Sequence, residues 1–575
     1  MKYTVLSTVL CVFVLFSGAK AQTNADLTAQ QNQQLIQNYE QQQRFEEQQQ
    51  RLETEKNTLK NELQYQSSNQ QASGACIDIQ TLEINGVTLL SDRFASDLQN
   101  EYEGRCLYLA DMNAIMDRIN EEYVEKGYIS SRAYLPQQDL SKGTLVFQII
   151  EGSLEDIRGE TDDVFGEDGV RHQFASAFPN MIGKPLNIRD IEQGLDQMNR
   201  LRVNNTSMDL VPAQQAGGSI LSVKNNRSKP WSIQTGIDNS GTQPTGVLQG
   251  SINASYDDLF GNNDYVSLSI KHDLGRTNRR QSKNVAFKYE FPYGYWTFSY
   301  GLNYFDYISE LQTTSQNFKT SGLSRNHTFS ASNVLHRDQV SKTTLTGSLV
   351  AKENENFFEG VQLDVSSRKL TIANLGLSHS RKINNGFLLG SVTYARGLEL
   401  FGAFEDTPTS LDAQFDRFTF DANLIKQFDL GWGRSNPRLD LLGNAVFSSD
   451  SLFSSEQISI GGPFSVRGFK GNSISGDRGG YLRSDISMAL PALGHQWFDQ
   501  KIGALVPYMG FDIGAIRTDK DVATETGTLK SLSFGLKNTG SDNISFDFNY
   551  AKPLSAPSFI GKESEELFFR VTMTF

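Results

Sequence analysis

From about residue 227 to the C-terminus, apolar and polar residues alternate with a period of two. Val266, Leu268 and Ile270 oppose Ser267, Ser269 and Lys271. Ile544, Phe546, Phe548 and Tyr550 oppose Ser545, Asp547 and Asn549, and Phe569, Val571, Met573 and Phe575 oppose Arg570, Thr572 and Thr574. Successive side chains of a strand point to opposite faces, so each run predicts a strand with one apolar and one polar face. A water-soluble sandwich also alternates. Here charged residues persist on the polar face over strands of ~10 residues with aromatic ends, as a membrane barrel with a polar interior requires. Sixteen strands are expected, beginning near Trp231, Gly246, Asp264, Asn284, Tyr295, Arg325, Lys342, Lys369, Gly386, Arg417, Arg438, Gly479, Ala504, Thr528, Asn543 and Glu566. An even number satisfies closure of a single-chain barrel.

The connections alternate too. The even-numbered ones are short, such as Phe260–Asn263, Pro292–Gly294, Ile383–Asn385 and Thr539–Asp542. The odd-numbered ones are longer: Ile308–Ser324, Glu353–Ser367, Glu399–Asp416 and Ser451–Arg478. Short turns on the near side and long loops on the far side are the asymmetry of such barrels.

Upstream the pattern is α/β, twice. Ile77, Ile79, Leu82 and Ile84 predict a strand ended by Asn85-Gly86. Met112, Ile115, Ile119 and Tyr123 have helical spacing, closed by Gly127 as a helix stop. Ser131–Leu135 and Thr144–Ile150 read as strands. The second module has a strand at Leu154–Ile157, a helix at Val170–Phe178, a helix capped by Asn187, and strands at Ser207–Val211 and Ile220–Val223.

Residues 22–74 are dominated by Gln, Glu, Asn, Lys and Arg, with no Pro or Gly before Gly74. These residues favour helix, with Asp26 or Thr28 able to cap its start. A helix polar nearly all round has little to bury in a core. It suits a water-filled pore; a disordered Gln-rich tail is the alternative.

The first residues add a leader. Lys2, the apolar run Val5–Phe16 and Ala19-Lys20-Ala21 form a charged start, a short apolar core and a cleavage site, so residues 1–21 are expected to be removed on export. Of three cysteines, Cys11 leaves with that leader. The remaining even pair in an exported chain, Cys76 and Cys106, reads as a disulfide, with two buried free thiols as the alternative. A net charge of -13 argues against a nucleic-acid partner. The mean hydropathy of -0.42 looks soluble, but alternating strands average out.

Two motifs bring in a family. Val466-Arg467-Gly468-Phe469 lies in the glycine-rich gap between strands eleven and twelve. It resembles the sixth-loop signature of the outer-membrane transporter superfamily built from periplasmic POTRA domains and a β-barrel. Gly510-Phe511-Asp512-Ile513-Gly514 resembles that superfamily's glycine-x-Asp-x-glycine strand motif. The resemblance implies that the loop folds into the barrel and that Arg467 meets Asp512. Gly127-Tyr128-Ile129-Ser130-Ser131-Arg132, Leu135–Asp139, Glu151-Gly152, Gly183–Asn187 and Asn199–Leu201 resemble the POTRA pair of the two-partner secretion class. Phe575 resembles the terminal aromatic by which outer-membrane barrels are recognised for assembly.

The expected architecture is a 16-stranded antiparallel transmembrane β-barrel preceded by two α/β POTRA domains and an N-terminal plug helix. Its parts are a leader at 1–21, plug helix at 22–47, linker at 48–75, POTRA 1 at 76–152, POTRA 2 at 153–226, and barrel at 227–575 with loop 451–478 folded inward. The resemblance implies a bacterial outer-membrane location, with the POTRA domains in the periplasm. It also implies transport, to the cell surface, of an unfolded β-helical exoprotein: an adhesin, haemolysin or contact-dependent-inhibition toxin. No catalytic residue, metal ligand, cofactor or nucleotide is expected. The six histidines, at 172, 272, 327, 336, 379 and 495, show no metal-ligand spacing, and there is no G-x-S-x-G or phosphate-binding loop. A barrel-assembly factor of the same superfamily, a diffusion porin and a barrel-borne enzyme are the rival readings.

Overall fold

The structure, a computed structural model, describes residues 31–56, 76–159, 166–275, 277, 279–312, 316–364, 366–403, 413–430, 436–491, 500–517, 526–541, 543–560 and 564–575. The leader at 1–21, residues 22–30 of the expected plug and residues 57–75 of the expected linker lie outside them. Helix α1 occupies residues 31–56. The expected boundary at Glu47 was too early. Residues 48–56 hold Gln, Arg, Leu, Glu, Lys and one Thr, with no Gly or Pro to stop the helix there.

The first α/β module contains β1 (Ile77–Ile79), β2 (Thr81–Asn85), α2 (Asp92–Tyr102), β3 (Arg105–Leu107), α3 (Leu109–Glu125), β4 (Arg132–Tyr134) and β5 (Thr144–Ile150). Its sheet runs β2-β5-β4, with β2 and β5 parallel. Met112, Ile115, Ile119 and Tyr123 form the buried face of α3 and pack on Leu82, Leu145, Phe147 and Ile149. Each such side chain contributes ~1.5–3 kcal/mol when fully buried, so this face fixes the helix on the sheet. The strand expected at 77–84 is broken at Gln80. The backbone N–H groups of Gln80 and Thr81 both donate to Gly143 O, at 2.7 and 3.1 Å. The first half then pairs with β3, which carries Cys106. Cys106 is bridged to Cys76 with their Cα atoms 5.3 Å apart.

The second module contains β6 (Ser153–Gly159), α4 (Gly166–Ala177), α5 (Ile188–Asn199), β7 (Thr206–Pro212) and β8 (Gly218–Asn225), with sheet order β6-β8-β7. Asn187 caps α5 by accepting from Arg189 N at 2.9 Å. The same residue donates to Lys126 O at 3.1 Å, and Ile188 N donates to Gly127 O at 2.8 Å. Gly127 has φ +91°, and a Cβ there would lie 2.4 Å from Asn187 Oδ1. The glycine that ends α3 thus also admits the cap of α5.

The barrel strands are β9 (Trp231–Asp238), β10 (Gln249–Asp257), β11 (Tyr265–Asp273), β12 (Gln281–Tyr293), β13 (Trp296–Gln312), β14 (Asn317–Arg337) and β15 (Ser341–Phe358), with a two-residue appendage β16 (Val361–Gln362). They continue as β17 (Arg368–Ile383), β18 (Gly386–Leu398), β19 (Asp416–Gln427), β20 (Arg438–Ser448), β23 (Arg478–Ser487), β24 (Ala504–Arg517), β25 (Gly527–Thr539), β26 (Ile544–Ser555) and β27 (Glu566–Thr574). Between β20 and β23 the loop carries a small hairpin, β21 (Ile458–Ile460) and β22 (Ile474–Gly476). Every neighbouring pair is antiparallel, and β27 closes on β9 with Arg570 opposite Asp238. The sixteen long strands leave no open edge, which a lipid core demands because it offers backbone groups no water. Leu268, Ile270, Phe329, Phe420 and Phe548 are exposed on the wall, while Lys271 on the opposite face pairs with Asp238 at 3.0 Å. One expected start was late. β14 begins at Asn317, not near Arg325, because Gln312 and Asn317 still pair across the hairpin. That odd-numbered connection is mostly a protruding ladder.

The second module sits on the short turns. Tyr295 Oη donates to Asp190 at 2.6 Å, Gly294 N donates to Ser176 O at 2.8 Å, and Asn263 Nδ2 donates to Gln173 O at 2.9 Å. Arg337 pairs with Asp196, and Arg200 with Glu290. All these turns are even-numbered connections, so the side expected from loop length is the side that carries the α/β modules.

Two predictions follow from the first module. Protein denatured without reductant is expected to alkylate at neither Cys76 nor Cys106, and at both after reduction, as read by peptide mapping. A thiol free at either position before reduction contradicts the bridge. The second concerns Glu151, which accepts hydrogen bonds from Thr88 N at 2.7 Å, Leu89 N at 2.8 Å and Tyr123 Oη at 2.7 Å. Burial pushes its carboxyl up, but these bonds and one from Thr88 Oγ outweigh burial and hold it below the ordinary value of 4.5. A depressed carboxylate stabilises the fold above its unfolded pKa, and that contribution is lost as pH falls through the folded value. The melting temperature of Glu151→Gln should therefore lie below wild type at neutral pH, and the gap should close only on acidification below about pH 4.5. A gap independent of pH would mean that the charge of Glu151 is irrelevant.

Candidate functional site

A barrel of sixteen strands encloses more space than its own side chains fill. Two elements fill it here: α1, and the loop of residues 449–477 between β20 and β23.

The loop tip is fixed first. Arg467 Nε and Nη2 donate to the two carboxylate oxygens of Asp512, each at 2.7 Å. The backbone N of Arg467 adds a third bond to Asp512 Oδ2 at 3.0 Å, and Nη2 also reaches Asp485 Oδ1 at 2.6 Å. Ser531 Oγ donates to Asp512 Oδ2 at 3.3 Å. Asp512 is 0% exposed and Arg467 3%, so each charge depends on the other. Removing one partner of a buried pair costs ~3–5 kcal/mol, mostly for the charge left behind.

The glycines around the pair have steric reasons. A Cβ on Gly510 would lie 2.3 Å from both Arg467 Nη2 and Asp485 Oδ1. One on Gly514 would lie 2.9 Å from Val466 Cγ2. The two strand glycines are thus the floor on which the loop tip rests. Gly468 has φ +92° and passes close to Pro553. Val466 and Phe469 are buried with Ile458, Ile460, Ile474, Ile516 and Leu529 in a small apolar core inside the barrel. Phe511, expected with the strand motif, points to the other face and is exposed. The structure therefore brings Val466, Arg467, Gly468, Phe469, Gly510, Asp512 and Gly514 to one place.

Helix α1 lies against this loop. Gln37 Nε2 donates to Ser454 O at 2.8 Å, and Gln37 Oε1 accepts from Ser475 Oγ at 2.8 Å; Gln41 Nε2 donates to Ser459 O at 2.6 Å. Tyr39 stacks on Phe305 with centroids 4.3 Å apart, and Leu52 packs on Phe387, Leu389 and Ile425 of the wall. Deeper, Lys352 Nζ on β15 lies 3.2 Å from Glu40 of the helix and 2.8 Å from Glu456 of the loop. Arg417 on β19 lies 2.6 Å from Glu456. Sequence reasoning missed Asp485, Glu456, Lys352 and Arg417. The strand residues looked like any polar side of a barrel strand, and Glu456 carries no motif.

Comparisons with known proteins agree on one family. A family model for haemolysin secretion/activation protein ShlB/FhaC/HecB matches residues 217–538, a ShlB-type POTRA model matches 77–152, and a further POTRA model matches 154–212. The chain is 32% identical over 514 residues to an outer membrane transporter CdiB of Escherichia coli, covering 87% of this chain and 83% of that one. It is 32% identical to the hemolysin transporter protein ShlB of Serratia marcescens, covering 81% and 82%. The solved structure of CdiB from Escherichia coli superposes with a TM-score of 0.84 at 30% identity, covering 94% of this chain and 98% of that one.

The geometry of the loop tip predicts two equivalent lesions. In Arg467→Ala the anchor is gone, and in Gly510→Ala the added methyl occupies the guanidinium's place. Both barrels should remain heat-modifiable in the membrane, while the loop becomes open to cleavage by protease added to intact cells. Arg467→Lys, which keeps the charge but loses the planar fork, should be cleaved at an intermediate rate. A protected loop in Gly510→Ala would show that the guanidinium is not held where the geometry puts it.

Proposed function

The chain belongs to the haemolysin secretion/activation family of ShlB, FhaC and HecB and is an outer-membrane transporter of a partner exoprotein; from that premise we propose how its parts divide the task. The POTRA domains capture the unfolded partner in the periplasm, α1 leaves the pore, and the anchored loop stays to shape the path. The observation that carries this reading is the filled lumen: α1 lies inside the barrel, bonded by its Gln side chains to the loop, with only small apolar contacts at Leu35, Ile36, Tyr39 and Leu52. Hydrogen bonds of this kind contribute ~1 kcal/mol each net, so a helix held by them can be exchanged for another polar chain. No nucleotide site is needed, since folding of the client outside opposes its return. The partner is, on this reading, a large β-helical exoprotein of the haemolysin, adhesin or contact-dependent-inhibition class. The CdiB and ShlB relatives support the haemolysin and inhibition-toxin readings over the others.

The sheet edges suggest where the client docks. In the first module β2 is covered, as Gln99 donates to Leu82 O and Glu103 accepts from Leu82 N. β4 is covered by Asn120, which accepts from Ala133 N at 2.8 Å. In the second module β6 is covered by residues 183–186, whose backbone bonds to Leu154 and Gly152. β7 differs. Asn199 binds both backbone groups of Thr206, at 2.7 and 2.9 Å, so Thr206 faces away from β8. By alternation Met208 and Leu210 also face outward, and among the described residues nothing bonds their N–H and C=O groups. An extended client adding to this edge gains backbone hydrogen bonds without needing one sequence. Leu210→Pro deletes an outward N–H at an edge position that tolerates proline. It should lower secretion at least about fivefold, whereas Leu210→Ala stays near wild type. The measurement is exoprotein in the medium, normalised to heat-modifiable barrel. In the same assay Arg467→Ala should secrete strongly less and Arg467→Lys partly less. Wild-type secretion by Leu210→Pro would move the docking site elsewhere, and wild-type secretion by Arg467→Ala would remove the role given to the loop.

A further inference from the structure

Strand β15 presents two lysines to the lumen, Lys352 toward the outside and Lys342 beside the periplasmic turn, ten residues apart. Each holds one carboxylate of α1: Glu40 at 3.2 Å and Glu55 at 2.8 Å. The spans agree. Ten strand residues cover ~33 Å, or ~25 Å along the axis of a barrel whose strands tilt by ~35–45°. Fifteen helix residues rise ~22 Å. The helix is therefore pinned at two points, Glu40 and Glu55, to one strand.

The periplasmic pin has a neighbour that the outer one lacks. Lys342 is buried, and Ser380 Oγ donates to the same Glu55 oxygen at 3.1 Å. Asp196 of α5 pairs with Arg337 at the end of β14, which stands directly opposite Lys342 across the β14–β15 hairpin; Arg337 Nε also lies 3.5 Å from Glu192. Burial raises the Asp196 carboxyl by more than Arg337 and Lys342 lower it, leaving it pushed up to about 6, with a small upward push from Glu55. Two acids from two separate parts of the chain, Glu55 of the plug and Asp196 of the second POTRA domain, are thus each paired with one of two cations that face each other across one barrel hairpin.

We propose that this set couples the second POTRA domain to the plug, with Lys342 as the residue through which it acts. While Asp196 stays on Arg337, Lys342 is committed to Glu55 and the helix is held. A client that shifts α5 on its turn takes Asp196 off Arg337. Asp196 then competes for Lys342, Glu55 loses its cation beside another carboxylate, and the periplasmic end of the helix is released. Capture at the POTRA domain is in this way converted into opening. The proposal rests on the reading of α1 as the plug.

The test uses full-length protein in planar bilayers without client, with a variant lacking residues 31–56 as the open reference. Lys342→Met should raise the frequency of openings at least about fivefold toward that reference. Lys342→Arg should stay near wild type. Asp196→Asn removes the competitor and the repulsion, so it should open less often than wild type. The double variant should behave as Lys342→Met alone. These opposite signs separate coupling from simple loosening of the interface, which would raise openings in both. Wild-type behaviour of Lys342→Met, or more frequent openings in Asp196→Asn, overturns the proposal. If removal of residues 31–56 itself leaves conductance unchanged, the plug reading fails and the coupling falls with it. If that removal opens the pore and Lys342→Met does not, only the coupling fails.

Discussion

Backbone groups in a hydrocarbon core have no water to bond, so a sheet that crosses it must close on itself. Everything else in this protein follows from that closure. Sixteen strands satisfy every neighbour, from the β9–β10 pair to the β27–β9 seam, and in doing so they enclose a polar space too wide for their own side chains. An unfilled pore of that width would pass small solutes. The chain fills it with two of its own segments, and the two are held by different physics.

The loop is held as a core is held. Its tip has an apolar cluster around Val466 and Phe469, and a buried guanidinium with both faces of its fork on carboxylates. A buried ion pair adds little net stability, because desolvation offsets attraction, but it penalises every arrangement in which either charge is alone. That is a specification of one conformation. The helix is held instead by Gln side chains on loop carbonyls, small apolar contacts of Leu35, Ile36, Tyr39 and Leu52, and ion pairs at Glu40 and Glu55. The hydrogen bonds among these contacts can be made by water or by a passing polar chain, and the apolar contacts are few and scattered. The contrast explains why one filler can act as scaffold and the other as gate in the same pore.

Much of this was legible in the chain. Period-two alternation set the number of strands, and loop lengths set the sidedness, because both are imposed directly by lipid and water. The spacing of Met112, Ile115, Ile119 and Tyr123 set the first helix–sheet core for the same kind of reason. The pair Arg467 and Asp512 was legible only through its resemblance to a family, and the structure adds the steric cause, the missing Cβ of Gly510. What could not be read were contacts that depend on which polar residue faces which across the lumen. Lys342, Lys352 and Arg417 differ in no local pattern from other lysines and arginines on barrel strands. The end of α1 was misplaced for a related reason: the apolar residues of a helix in a polar pore are too sparse for their pattern to mark its end, and Leu52 beyond the expected boundary is a single contact. The break at Gln80 was hidden because both halves of that strand are equally apolar, and only pairing distinguishes them.

The central claim is that α1 closes the transport path and must leave it. Gln41 and Ser459 are in contact across the helix–loop interface, with Gln41 Nε2 2.6 Å from Ser459 O. Cysteines placed at both positions can be bridged in the assembled outer-membrane protein by a short thiol crosslinker with a reducible bond. The account predicts that the bridged transporter secretes no exoprotein, that reduction restores secretion, and that either single-cysteine variant is unaffected by the same treatment. Secretion at the wild-type level from fully bridged protein would contradict it, since the client would then be crossing with the helix still in place.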